Sequence, residues 1–393
     1  MKVVQINDGC GVGSIGKICV AVSEILTKRN IENYIFYTYG ESSYPLGIKY
    51  TNKLYTKEQA LFSRIRGDWG FVSKKATQKL VCQLKSINPS IIHLHNLHGH
   101  NVNLEILFDF VRQNGIKIFW TFHDCWAFTG YCVYFDMAKC TKWESGCHDC
   151  PQRKKYTWFF DKSNSNWNRK KKILEGIDLS VITPSEWLAD LVKRSFFSEF
   201  PVLTINNGIN LDIFKPTESD FRDKYNCKNK VILLGVAFDW SPRKGLDVFI
   251  EAYKKLDEKY QIVLVGTNDE IDKILPKGII SIHRTQNQQE LAQIYTAADL
   301  FVNPTREENY PTVNMESVAC GTPVLTFNTG GSAEMLDEHC GIVVERGDIC
   351  ALLSKIEKIG RKNNDTSSYC VRKAAQYKAA DRFEEYVSLY MDK

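Results

Sequence analysis

The chain has 393 residues, 51 basic and 46 acidic, with a net charge of +5. At roughly 100–200 residues per domain this is two domains, each able to bury a core. A hydrophobic share of 44% and a charged share of 25% exclude a disordered or low-complexity protein, and the charge is too mild to argue for nucleic acid.

No apolar run approaches the ~18–20 residues of a membrane span. The N-terminus meets Asp8 and glycines without an apolar region or cleavage site, so a cytoplasmic protein is expected. An odd count of 13 cysteines then predicts thiols rather than a disulfide framework.

In chain order, strands are expected at residues 2–6, 34–37, 91–95, 116–122, 179–182 and 202–205, with helices at 14–28, 74–87, 104–114 and 186–194. This alternation predicts a parallel, doubly wound sheet. Residues 125–168 break it with cysteines, aromatics, lysines and asparagines, and read as an insertion that lacks its own core. The alternation resumes with strands at 231–234, 262–265, 279–282, 300–303, 324–327 and 342–344 and helices at 246–259, 289–297, 312–320 and 349–359. Rossmann-like domains are therefore expected at 1–216 and 217–365, facing each other across a cleft, with a helical tail at 366–393 packing back on the first. Ligands in such sheets bind at the carboxyl ends of the strands.

The most specific string is Glu307-Glu308-Asn309-Tyr310-Pro311-Thr312-Val313-Asn314-Met315-Glu316, followed by a small-residue helix and Gly321-Thr322-Pro323-Val324. It follows a strand and opens a helix. Pro311 suits the first helical position and Gly321 the left-handed residue past the end. Backbone N–H groups of Thr312 and Val313 at a helix N-terminus favour a phosphate. Glu308 and Glu316 flank that point and suit sugar and ribose hydroxyls. The plain structural reading is two exposed glutamates on a capped helix.

In this context the string resembles that of retaining glycosyltransferases of the GT-B fold, the family 4 type, which carry two glutamates at this spacing. Asn206-Asn207-Gly208-Ile209-Asn210, Thr183-Pro184-Ser185-Glu186 and Asn328-Thr329-Gly330-Gly331-Ser332 extend the resemblance along the chain. It implies that Glu308 contacts the donor sugar and Glu316 the nucleotide ribose. It also implies that Lys244, in Arg243-Lys244-Gly245, stabilises the leaving pyrophosphate. His123, in Thr121-Phe122-His123-Asp124, is implied to lie near the donor sugar. The chain departs from the pattern twice. Val236-Ala237-Phe238 stands where an arginine usually follows the strand-end glycine, so Arg243 is expected to supply that charge. Asn309-Tyr310-Pro311 replaces Gly-Phe-Gly, which leaves the phosphate to the Thr312 and Val313 amides and narrows the sugar pocket around Asn309 and Tyr310.

Asp8-Gly9-Cys10-Gly11-Val12-Gly13-Ser14-Ile15-Gly16 joins the first strand to the first helix, and Gly13 and Ser14 are expected to approach phosphate or sugar closely. No ribose-binding acid follows the second strand, so the string is read as a cleft-facing loop of an acceptor domain rather than a dinucleotide site. His93, His95, His98 and His100 have no carboxylate or cysteine among them and read as buried or acceptor-contacting histidines. Cys132, Cys140, Cys147 and Cys150 have spacings compatible with a structural zinc or with free thiols. The runs Arg153-Lys154-Lys155-Tyr156-Thr157-Trp158-Phe159-Phe160 and Trp167-Asn168-Arg169-Lys170-Lys171-Lys172 suit an anionic membrane surface, a single-stranded nucleic acid or an ordinary basic face.

The resemblance thus implies an enzyme that moves a sugar from a nucleotide diphosphate sugar to a saccharide acceptor, such as a polyprenyl-diphosphate-linked one, in capsule, O-antigen or exopolysaccharide assembly. It needs no catalytic cofactor, and peripheral contact with the membrane is expected but no nucleic acid partner. The competing readings are an inactive nucleotide-sugar-binding subunit, a GT-B epimerase and a zinc-dependent RNA binder.

Overall fold

A computed structural model describes residues 1–391; the last two residues of the expected tail lie outside the described residues. The chain divides into two units, one of residues 1–206 with 381 onward, the other of residues 207–380.

The first unit holds strands β1 (Lys2–Ile6), β2 (Glu32–Tyr37), β3 (Gly47–Lys49), β4 (Ile91–Leu94), β5 (Lys117–Thr121), β6 (Leu179–Thr183) and β7 (Val202–Thr204). They form one parallel sheet in the order β3-β2-β1-β4-β5-β6-β7. Its helices are α1 (Gly13–Lys28), α2 (Lys53–Arg66), α3 (Lys74–Ile87), α4 (Leu104–Asn114), α5 (Arg153–Tyr156), α6 (Ser163–Lys172) and α7 (Glu186–Lys193). The second unit holds β8 (Val231–Val236), β9 (Tyr260–Val265), β10 (Ile280–Ile282), β11 (Leu300–Asn303), β12 (Val324–Phe327) and β13 (Gly341–Val344), parallel in the order β10-β9-β8-β11-β12-β13. Its helices are α8 (Phe221–Lys224), α9 (Leu246–Lys255), α10 (Asp269–Asp272), α11 (Gln288–Ala297), α12 (Thr312–Ala319), α13 (Ile349–Glu357) and α14 (Asn364–Ala374). The last helix, α15 (Ala379–Met391), returns to the first unit.

The central strands are nearly continuous apolar runs because helices cover both faces of each sheet. Val4, Ile6, Ile92 and Leu94 are fully buried in one sheet, and Leu234, Val263, Leu264 and Leu325 in the other. Each sheet reverses its strand order once, between β1 and β4 and between β8 and β11. Loops leaving the carboxyl ends of those strand pairs diverge and leave a crevice, the usual ligand position in such sheets.

The domain limits differ from the sequence expectation. Residues 207–216 go with the second unit, because Ile209 exchanges backbone hydrogen bonds with Tyr377 and Ala379, and Ile209 and Phe214 lie in the second core. Most of the expected tail stays there too, with Cys370 and Ala374 of α14 in that same core. Only α15 returns, burying Phe383, Tyr386, Val387 and Tyr390.

Residues 125–168 are not coreless. Cys125, Trp126, Phe128, Tyr131, Trp143 and Tyr156 join the first unit's main core. α6 begins inside this stretch and has almost no apolar residues. Buried polar contacts hold it instead: Trp167 Nε1 donates to Trp143 O at 2.9 Å and Asn166 Nδ2 to Gly67 O at 2.7 Å. Lys170 is buried as well, its ammonium donating to Trp126 O (2.6 Å) and Thr129 O (3.0 Å). Desolvation pulls the Lys170 pKa down to about 7. The second basic–aromatic run is therefore largely structural, since Trp167 and Lys170 face inward.

Candidate active site

In the second unit the loops after β8 and β11 meet at the point of strand reversal. Lys244 Nζ lies 2.5 Å from Glu308 Oε2, and the Asn309 backbone N–H donates to Glu308 Oε1 at 3.1 Å. Arg243 donates to Glu307 O at 2.8 Å, and the Arg306 N–H to Arg243 O at 2.8 Å. Arg306 also grips Asp247 in a bidentate pair at 2.8 and 2.7 Å. These bonds tie the two loops into one frame. The third wall is the 328–334 loop, where the Gly331 N–H donates to Asn309 O at 2.6 Å. Gly330 has φ +55°, and a Cβ there would stand 1.8 Å from Glu308 O, so only glycine permits this approach.

Glu316 projects from α12 and accepts from Tyr295 Oη at 3.3 Å. Burial, with the Glu316 charge beside it, raises the Tyr295 pKa well above its ordinary value. Pro311 is the N-cap of α12, one residue before the expected position, and it supplies no side-chain acceptor to the helix end. The first helical residues are Thr312 and Val313, as phosphate capture by their amides requires. Gly321 takes the left-handed conformation past the helix end, with φ +79°.

Three polar atoms around this frame were invisible in the sequence pattern. Asn207 Oδ1, Thr329 Oγ1 and Ser332 Oγ are buried without a hydrogen-bond partner among the described residues. Unpaired buried polar atoms are costly, and a polar ligand would satisfy them. Phe238, at the first departure from the family string, is fully exposed. Carboxylates, cations and helix amides are thus gathered at one crevice, a set suited to a phosphorylated, polyhydroxylated ligand.

In the first unit the glycine loop follows β1. Gly11 and Gly13 have φ +70° and +71°, and Gly13 and Ser14 are exposed at the start of α1, whose N-cap Val12 offers no side-chain acceptor. His123 follows β5, its ring 5.6 Å from that of His95 and its Nε2 3.3 Å from His95 Nδ1; burial lowers its pKa to about 4. His93 and His95 are buried, as the structural reading expects, and their rings lie 4.0 Å apart. His98 does have carboxylate neighbours, which linear spacing concealed. Its Nε2 lies 2.9 Å from Asp124 Oδ2. Burial would depress the His98 pKa, but the charge and hydrogen bond of Asp124, with Asp8 nearby, raise it overall. Asp8 is itself raised by burial.

Cys132, Cys140, Cys147 and Cys150 line one small cavity. The Gly130 N–H donates to Cys147 Sγ at 3.2 Å and Gln152 Nε2 to Cys132 Sγ at 3.3 Å. The cysteines are thiols, as expected. They are not gathered into a group of three within mutual ligand range. Among the described residues the group that meets a 4.8 Å limit is the exposed set Asp269, Asp272 and His283.

Comparison with known proteins agrees with this geometry. Residues 228–361 match the sequence model of the family described as Glycosyl transferases group 1. The chain is 22% identical over 419 residues, covering 100% of both chains, to a putative colanic acid biosynthesis glycosyl transferase, WcaC, of Escherichia coli K12. It is 24% identical to the capsular polysaccharide biosynthesis glycosyltransferase CapM of Staphylococcus aureus, over 53% of this chain and 60% of that one. In structure it resembles Anabaena HepE, solved in complex with UDP, with a TM-score of 0.70 at 14% identity and full coverage of both chains. The two parallel-sheet units are therefore those of the GT-B fold. The chain is a GT-B glycosyltransferase, and its second unit carries the group 1 domain.

Proposed function

We propose that this glycosyltransferase takes its sugar from a nucleoside diphosphate sugar and passes it, with retention of configuration, to a lipid-linked saccharide during assembly of a colanic acid- or capsule-type polysaccharide at the cytoplasmic face. The observation that carries the donor assignment is the Lys244–Glu308 pair at 2.5 Å, set on the strand-reversal point with the uncapped start of α12. The UDP complex of HepE and the polysaccharide roles in the names of WcaC and CapM support it.

In this reading the α12 amides of Thr312 and Val313 take the pyrophosphate, and Lys244 and Arg243 offset the charge that grows as the anomeric C–O bond breaks. Glu308 accepts from a hydroxyl of the donor sugar and Glu316 from the ribose. Asn309 and Tyr310 shape the sugar pocket. The acceptor hydroxyl attacks on the face the leaving group vacates, and its proton passes to a phosphate oxygen of the leaving group. The first unit takes the acceptor, while its Gly13 and Ser14 are assigned to the donor's phosphate or sugar and its His123 to the donor sugar. A structural zinc ion in the cysteine cavity would have to draw the four sulfurs closer than they stand here; the N–H groups that reach Cys147 and Cys132, with Lys170 nearby, would then offset thiolate charge.

A thermal-shift screen against UDP, GDP, ADP, dTDP and CMP, each with and without its common sugars, tests the donor assignment. A ligand of the native state at ~100 times its Kd adds about 2.7 kcal/mol of stability. One nucleotide class is expected to raise the melting temperature, and Glu308→Ala to abolish transfer. Silence from every nucleotide, or unchanged turnover in Glu308→Ala, overturns the reading.

A further inference from the structure

Trp158, Phe159 and Phe160 are 55%, 60% and 58% exposed. Three consecutive aromatic rings in water are a costly surface unless something covers them. The turn that presents them is tightly built. The Trp158 N–H donates to Arg64 O at 2.8 Å, Phe159 O accepts from Arg153 at 3.1 Å, and Phe160 O accepts from Thr157 Oγ1 at 3.1 Å. Arg64 also donates to Lys155 O at 2.8 Å. The rings stand side by side, with centroids 6.5 and 6.3 Å apart. With these backbone groups already paired, the turn can enter a low-dielectric layer without stranding them.

α2 anchors this turn through Arg64 and presents two leucines to water among the charged residues Lys53, Lys57, Glu58 and Arg66. Leu54 and Leu61, one heptad apart and so on one face, are 79% and 47% exposed. Arg66, Lys154, Lys155 and Lys162 are exposed close to these residues in sequence. The acid next to the rings, Asp161, is engaged by the N–H groups of Cys150 (2.7 Å) and Ser163 (2.8 Å). No helix among the described residues is long and apolar enough to cross a membrane.

We propose that this face of the first unit docks on an anionic lipid bilayer. Trp158, Phe159 and Phe160 enter the boundary between headgroups and acyl chains, where aromatic rings partition, and the lysines and arginines meet the anionic headgroups. The charge pattern selects a lipid surface over an apolar protein partner, because exposed lysines flank the aromatic tip along the chain, Lys154 and Lys155 before it and Lys162 after it. The inference is independent of the donor assignment.

The full-length protein should sediment with vesicles of equal parts phosphatidylglycerol and phosphatidylcholine, and far less with phosphatidylcholine alone. Trp158 is the exposed tryptophan, so binding should blue-shift fluorescence in a way that Trp158→Phe abolishes. Replacing Trp158, Phe159 and Phe160 by serine should weaken binding by about tenfold or more per ring. The pair Lys154→Ser and Lys155→Ser should weaken it by about fivefold per lysine, less in high salt. An unchanged melting temperature and circular dichroism spectrum certify each variant as folded. Failure to bind phosphatidylglycerol vesicles overturns the proposal. So does full binding by the folded serine variant, or aromatic-dependent binding of single-stranded RNA in place of vesicles.

Discussion

Lys244 and Glu308 hold each other at 2.5 Å, so the lysine is aimed by its partner carboxylate before any ligand arrives. The pair is only partly accessible, which strengthens its electrostatics relative to a surface ion pair. The buried histidines of the first unit behave in the opposite sense, as neutral groups. His93 lies between Thr121 Oγ1 at 2.7 Å and Tyr390 Oη at 2.5 Å, and burial lowers its pKa from 6.5 to about 3. His123 and His100 are each lowered to about 4, chiefly by burial. Between the unfolded and folded values the unfolded chain holds more protons, so stability falls as pH falls. The slope is at most ~1.4 kcal/mol per pH unit for each histidine, and above 6.5 these groups add none. The melting temperature should therefore drop between about pH 6.5 and pH 4, and His93→Gln should drop less steeply. Parallel slopes for the two proteins overturn this assignment.

At the scale of elements, every strand but β3 was legible in the sequence, the edge strands β7, β10 and β13 included. β1, β11 and β12 run as expected from residue to residue, because strands buried on both faces are unbroken apolar runs. β3 was not legible: it is three half-buried residues at a sheet edge, with a glycine among them. α6 was hidden because its stability comes from polar side chains reaching distant carbonyls, and no periodicity records such contacts. In the candidate crevice, Glu308, Glu316, Lys244 and Arg243 could be singled out from the sequence because motif spacing carries them. Asn207, Thr329 and Ser332 were not, since their unpaired oxygens are a property of packing. The pairing of His98 with Asp124 likewise arises from adjacency of β4 and β5, which only the sheet order supplies. The cysteine segment gives a further expectation at this scale. Metal analysis of the purified protein should find about one zinc per chain, and a strong chelator should lower the melting temperature. Well under one zinc per chain leaves the cavity to four thiols and removes the ion from the account.

At the scale of the whole molecule, each unit has its own sheet and core, but their sequences interlock. Phe383, Tyr386, Val387 and Tyr390 of α15 are buried in the first unit. Burying one such side chain contributes about 1.5–3 kcal/mol, so losing all four matches or exceeds the low end of a domain's ~5–15 kcal/mol stability. Ending the chain at Ala380 leaves residues 207–380 intact. Calorimetry should then show the first unit's transition lost or strongly lowered, with the second unit's transition and its response to nucleotide preserved. A single unshifted transition overturns this division.

The return of α15 also bears on how the protein is made. A ribosome usually lets the domain it builds first finish folding first. Here the segment that completes the first unit leaves the exit tunnel only after every residue of the second unit. The second unit can close while translation continues. The first must wait, with His93, Phe119 and Thr121 uncovered, until α15 has emerged. Nascent chains stalled short of that helix should be the ones a chaperone holds.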